Sequence, residues 1–224
     1  MTKTPSTQRR LLMALLGAAC TATALPLWAQ STGSNTVKLI VGYAPGGPVD
    51  SSARVFAPVL SRELGQPVIV ENRPGAGGAV AGNTVVKSAP NSLEIFYAAS
   101  PTMTISPHVL KAMAFDPLKD MTPLATILSY ANVLVINQNQ PFKTLPELVA
   151  FGKANPGKLA YGSAGMGASN HLSGELFARR AGINMTHVPY KGNAPAMTDV
   201  MGGQIQMMFD IVGGAKAHID GGKV

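Results

Sequence analysis

Two stretches of this sequence put glycines where a strand should hand over to a helix. They are Tyr43-Ala44-Pro45-Gly46-Gly47-Pro48-Val49-Asp50 and Ser163-Ala164-Gly165-Met166-Gly167-Ala168-Ser169-Asn170-His171. The first N–H groups of a helix lack intrahelical partners, and the helix dipole is positive there. Glycine lets a ligand come close to that backbone. Each junction is therefore a candidate anion site, and two in one chain could face each other across a cleft. An ordinary strand-to-helix turn needs glycine as well, so spacing alone leaves both readings open.

Other chemistries fit less well. Ser163, His171 and Asp210 supply the residue types of a hydrolytic triad, but Gly162-Ser163-Ala164-Gly165 is not a G-x-S-x-G elbow. An exported α/β hydrolase using Ser163 and His171 stands as the rival reading; ester turnover abolished by Ser163→Ala would favour it. Gly75-Ala76-Gly77-Gly78 and Gly165-Met166-Gly167 both stop short of G-x-G-x-x-G, because the last place is Val80 in one and Asn170 in the other. Glu94 falls inside a predicted strand, away from where it would meet a ribose. The histidines at 108, 171, 187 and 218 show no H-x-x-x-H or H-E-x-x-H spacing, and Cys20 is the sole cysteine. No metal, cofactor or disulfide framework is expected. The methionines lie mostly in apolar segments and read as core filling.

The elements that must position the two loops alternate along the chain. Apolar runs at 37–43, 67–71, 93–99, 159–163, 185–188 and 206–210 read as strands. Asp50 is expected to cap a helix carrying Ala53, Phe56, Ala57, Leu60 and Leu64 on one face, with Gly65 as its stop. Residues 79–88 look helical. Thr144-Leu145-Pro146-Glu147 has the form of a capping box ahead of a helix to about Asn155. Further helices are expected from the second loop to Gly182 and over Ala194–Met201. Leu124–Asn137 holds two apolar stretches that could carry the chain from one lobe to another. This alternation predicts an α/β fold with mostly parallel sheets.

The N-terminus reads as an address. Lys3, Arg9 and Arg10 precede an apolar run over 11–25, and the small Ala29 closes the segment before polar residues. That order predicts a cleaved signal peptide, residues 1–29, and a periplasmic location. The run is short for a membrane span, which needs about 20 residues. The formal charge is +7. Removing 1–29 takes away three of 18 basic residues and none of the 11 acidic ones, which leaves +4. The excess is dispersed, so nucleic acid is not expected as a partner. A modest positive bias suits a binder of anions.

At the glycine loops the sequence becomes recognisable. VKLIVGYAPGGPVDSSARVFAPVLSRELGQPVIVENRPGAGG resembles the opening of the substrate-binding proteins of tripartite tricarboxylate transporters, the Bug-type family. The likeness continues in FDPLKDMTPLATI, KANPGKLAYGSAGMGASNHLSGELF, HVPYKGNAPAMTDVMGGQIQMMFD and HIDGGKV. The resemblance implies a periplasmic-binding-protein type II-like fold, with a first lobe over 30–130 and a second over 131–224. It implies no enzyme activity, a small carboxylate as ligand, membrane permease subunits as partners, and a monomer. A carboxylate sensor for a receptor stands as an alternative. The family's chains run well beyond the point matching Val224, so the C-terminal part that returns to the first lobe is expected to be missing.

By position, the resemblance puts Tyr43, Ala44, Pro45, Gly46, Gly47 and Asp50 in the first ligand loop. It puts Ser163, Ala164, Gly165, Gly167, Ser169 and His171 in the second. Ser100 and Thr102 would line the cleft from the end of the third strand, and Asp210 from the far lobe. Tyr190 and Lys191 would lie near the hinge. The family usually has Gly and Thr where this chain has Pro48 and Val49, Asn and Thr at Met166 and Ala168, and Asn at Ile211. Pro48 has no N–H and Val49 no hydroxyl. The replacements point to a more apolar carboxylate, aromatic acids included.

Overall fold

The structure is a computed structural model that describes residues 36–111 and 113–224. The expected signal segment lies outside the described residues. The α/β alternation is present as two sheets, each flanked by helices.

The first sheet has β1 (Val37–Val41) at its centre, between β2 (Val68–Asn72) and β3 (Glu94–Tyr97), all parallel. Leu39, Ile40 and Val41 are at most 1% exposed. An unbroken apolar run is what a central parallel strand covered on both faces requires. Helix α1 (Pro48–Leu64) packs on β1 and β2, and α2 (Ala79–Val86) on β1 and β3. Two short helices follow, α3 (Ser100–Thr104) and α4 (Ser106–Val109), each with proline in its first turn. The third strand, expected over 93–99, spans only Glu94–Tyr97, and the helices that follow begin at Ser100 and Ser106, where proline fits the first turn.

The second sheet runs β4 (Asn132–Ile136), β7 (Met207–Ile211), β5 (Leu159–Ser163), β6 (Met185–Pro189) in spatial order. β5 is parallel to both β6 and β7, whereas β4 is antiparallel to β7. Of the apolar stretch 124–137, only 132–136 forms a strand; Leu124 stays 77% exposed. Helix α5 (Leu145–Ala154) begins with the expected box: Thr144 Oγ1 accepts from the Glu147 N–H, and Glu147 Oε2 accepts from the Thr144 N–H. Helix α6 (Ser169–Ala181) ends on Gly182 in the left-handed region. Helices α7 (Asn193–Met201) and α8 (Val212–Asp220) complete the layer.

Two clusters line the second sheet. Val135, Met197, Val200 and Met208 pack towards α7 and α8, while Phe142, Leu148, Leu159 and Tyr161 pack towards α5 and α6. A third cluster joins the sheets. Val41, Tyr43, Ala53 and Ala99 from the first meet Ala164 and Ala168 from the second.

Asp50 is not a helix cap. The helix starts two residues before it, with Gly47 in the capping position and Pro48 as the first helical residue. Proline's fixed φ suits that place, so the helix nucleates there and carries Asp50 into the first turn.

Candidate functional site

The first loop is held from below by a chain of side chains. Asp50 is 2% exposed, and its carboxylate accepts from the Gly46 N–H (2.9 Å), Asn72 Nδ2 (2.8 Å) and Arg54 Nε (2.9 Å). Asn72 also donates to the Tyr43 carbonyl (3.0 Å). Burial opposes ionisation of Asp50, but the bonds from Arg54, Gly46 and Asn72 outweigh it and hold the carboxyl below its ordinary value. The group is thus an ionised latch, with its acceptor positions turned into the loop.

Tyr43 and Thr102 work in the same way on a neighbouring turn. The Tyr43 hydroxyl donates to the Gly77 carbonyl (2.9 Å), as does Thr102 Oγ1 (2.7 Å). Burial pushes the Tyr43 phenol up to about 12, so it stays a neutral donor. The turn they hold spans 75–78. A Cβ on Gly77, whose φ is +60°, would stand 2.5 Å from the Met166 carbonyl oxygen. These glycines let the turn press against the second loop.

The second loop is shaped by buried polar groups behind it. Ser163 Oγ lies 2.6 Å from His187 Nε2 and accepts from the Gly165 N–H (3.1 Å). Asn170 Oδ1 accepts from the Ala164 N–H (3.0 Å), and His171 Nδ1 from the Gly167 N–H (3.3 Å). The His171 and His187 rings stack at 4.1 Å, with Tyr161 on the far side of His187 at 4.9 Å. Burial lowers both imidazoles; in His187 it is reinforced by His171, and the value falls to about 4. Both are neutral near pH 7. Asn170 Nδ2 approaches Asn193 Oδ1 (3.4 Å), and Asn193 Nδ2 donates to Asp210, which also accepts from the Ile211 N–H (2.7 Å). Burial raises the Asp210 carboxyl despite these donors.

The hydrolase reading fails on this geometry. Ser163 meets His187 rather than His171, and Asp210 is engaged by Asn193 and Ile211 instead of a histidine. Among the described residues, no group of three His, Cys, Asp or Glu is gathered to hold a metal.

The two loops meet over a narrow cleft of about 10 Å³, room for about one water. Of the residues expected at the site, Tyr43, Ala164 and Ser169 line it. Ala44 is tied to the other sheet, its N–H donating to the Lys191 carbonyl (2.8 Å). Pro45, Gly46 and Gly47 form the turn into α1. Ser163, Gly165, Gly167 and His171 sit behind the second loop, and Asp210 behind Ile211. Thr102 is fully buried beneath the first loop and does not reach the cleft; Ser100 is exposed at the start of α3, while its neighbours Ala99 and Pro101 line the wall.

Tyr130, Asn170 and Asn193 line the cleft as well and were not foreseen from sequence. Asn193 is the first helical residue after Gly192, which holds the capping position, so no local capping signal marks it.

What these parts converge on is a set of helix starts. Val49 of α1, Ser169 and Asn170 of α6, Asn193 of α7, and Ile211 ahead of α8 all border the cleft. None of these four helices has a side-chain cap; α2, α3 and α4 lack one as well, and among the described residues α5 alone has a complete one. Among the described residues, no acceptor meets the N–H groups of Val49, Asp50, Ser169, Asn170 or His171. Among the described residues, no lysine or arginine lines the cleft. The arrangement offers an anion several oriented backbone donors in a small, largely apolar space.

Comparison with known proteins agrees in kind. Residues 52–224 match the model of a family described as tripartite tricarboxylate transporter family receptor. A protein encoded in the gbd 5' region of Cupriavidus necator is 37% identical over 210 residues, which cover 91% of this chain and 64% of that one. The periplasmic binding protein BugD has a similar structure (30% identity, TM-score 0.79, 84% of this chain and 62% of that one). So do an R. palustris protein with adipate (30%, TM-score 0.80, 86% and 64%) and MatC from Rhodopseudomonas palustris with bound malate (30%, TM-score 0.78, 84% and 64%). The chain spans about three fifths of the length of the curated relatives it matches.

Proposed function

We propose that this chain, which belongs to the tripartite tricarboxylate transporter receptor family, captures a small carboxylate between its two glycine loops. In this reading it is a solute-binding protein rather than an enzyme, exported to the periplasm. The lobes part to admit the ligand, since the cleft as it stands has room for about one water; the carboxylate then sits on the N–H groups at the starts of α1 and α6, with α7 and α8 adding their dipoles. The two sheets with their helices act as lobes over 30–130 and 131–224, and permease subunits in the membrane recognise the liganded form.

The observation that carries this reading is the convergence of four uncapped helix starts on one cleft, which among the described residues no cationic side chain lines. An uncapped, partly buried N-terminus leaves donors that a ligand oxygen satisfies. Structures similar to this one are described with malate and with adipate, which supports a carboxylate as that ligand.

The test is thermal melting with small acids and their amides. A ligand at 100 times its dissociation constant adds about 2.7 kcal/mol to stability, an easily measured shift. Stabilisation by acids and not by amides is expected. Equal stabilisation by both, or by neither, rejects the carboxylate.

A further inference from the structure

Ser106, the first residue of α4, is fully buried, and among the described residues its hydroxyl meets no hydrogen-bond partner. A buried hydroxyl left unpaired is costly, and one that persists calls for a reason. This one faces the second loop: Ser106 Oγ would stand 3.2 Å from an ideal Cβ on Gly167.

Gly167 is where that loop is tied to α6. Its N–H donates to His171 Nδ1 at 3.3 Å, a long bond. An accepting Nδ1 carries no proton, so the ring holds its hydrogen on Nε2. A protonated imidazole carries hydrogen on both nitrogens and cannot accept, so proton uptake by His171 breaks this bond. The loop is built to turn when released, because Gly165 (φ +125°) and Gly167 (φ +78°) have no side chain to oppose it.

The groups around His171 set when this happens. His187 of β6 stacks on the ring, and Tyr161 of β5 lies beyond it, donating to Glu175 of α6 (2.6 Å). Burial holds the His171 imidazole below its ordinary 6.5, and Glu175 opposes burial only in part. Burial, then the charge of His171, lower His187 to about 4, so the first proton falls to His171. Of the other packed elements, α4 carries His108, which is exposed, and β4 carries no titratable side chain. Asp210 of β7 is engaged by Asn193, and Arg179 and Arg180 lie in the last turn of α6.

We propose that Ser106 is the second acceptor of a proton-operated switch: when His171 is protonated, the Gly167 N–H passes from His171 Nδ1 to Ser106 Oγ. The tether of the second loop then moves from α6, which packs on the second sheet, to α4, which follows the first. Acidity thereby ties the loop across the seam between the two sheets.

The experiment follows the isotopically labelled full chain by NMR from about pH 7.5 to about pH 4, with circular dichroism to monitor folding. The Gly167 amide signal should shift in step with the His171 ring signals, while its protection from hydrogen exchange persists in acid. In Ser106→Ala that protection should be unchanged at about pH 7.5 and fall about tenfold once His171 is protonated. The variant should fold, since it loses only an unpartnered hydroxyl. His171→Gln, whose side chain does not titrate in this range, should remove the shift. A Gly167 signal that ignores the His171 titration overturns the switch. Acid protection that survives Ser106→Ala, or that is already lost in the unaltered chain, removes Ser106 as the acceptor and overturns it too. Unfolding before His171 takes its proton does the same, because the handover belongs to the folded chain. None of these readouts involves a carboxylate ligand, so the proposed function stands or falls apart from them.

Discussion

Replacing Asp50 by alanine separates two accounts of the first loop. As a helix cap, Asp50 would be worth about 1 kcal/mol. As a latch it should be worth more. Its side chain is 3% exposed and holds three donors. The Arg54 partner is 51% exposed and contributes little after solvent screening. The Gly46 N–H and one Asn72 N–H lose a charged acceptor in a part-buried site, and hydrogen bonds to charged groups are worth about 1.5–3 kcal/mol each. Allowing for water entry, Asp50→Ala should cost about 3 kcal/mol in urea unfolding. It should also weaken carboxylate binding, since Gly46 and Tyr43 lose their tether. The effect depends on pH in a defined sense. The folded carboxyl titrates below its ordinary value of 3.8, so its stabilisation is complete above about pH 4 and is lost as pH falls through the lower folded value. Asp50→Asn should remove that part of the acid dependence. A cost of about 1 kcal/mol or less, with carboxylate binding unchanged, would refute the latch.

Three further outcomes follow from the geometry. Gly77→Ala should destabilise by about 2–3 kcal/mol and weaken carboxylate binding in thermal titration, because its Cβ would meet the Met166 carbonyl at 2.5 Å from a left-handed backbone. Thr144→Ala should cost about 1 kcal/mol in chemical unfolding as a lost cap and leave carboxylate binding unchanged, because the box lies away from the cleft. Folding stability should decline as pH falls from the ordinary imidazole value of 6.5 towards about 4, since the unfolded chain takes up protons that His187, and in the same direction His171, refuse when folded; His187→Phe should flatten that slope in unfolding measured across pH.

What was legible in the sequence is what neighbouring residues decide. The apolar runs of β1 and β5, the Thr144–Glu147 box and the stops at Gly65 and Gly182 each depend on residues within a turn or two, and all stand where the pattern puts them. The α/β class followed from their alternation. Asp50 has the residue type of a cap, but Pro48, two places earlier, is the stronger helix signal. Thr102 and Ser100 look alike as hydroxyls after a strand, yet α3 turns one to Gly77 and the other to solvent. The antiparallel pairing of β4 with β7, and the succession Asp210–Asn193–Asn170, join residues far apart in the chain. No local pattern encodes such contacts. His187 in place of His171 beside Ser163 is of the same kind, set by the register of β6 against β5.

That no lysine or arginine lines the cleft among the described residues has a consequence for divergence. On the proposed reading the attraction for anions resides in peptide groups, and such a site cannot be silenced by exchanging the side chains that line it. Substitutions at Val49, Ala168 or Ile211 alter shape and polarity while the helix starts keep pointing inward. Selection, or a library built on those three positions, is thus free to explore new acids from a common anchor. Only changes that displace the main chain itself would erase it.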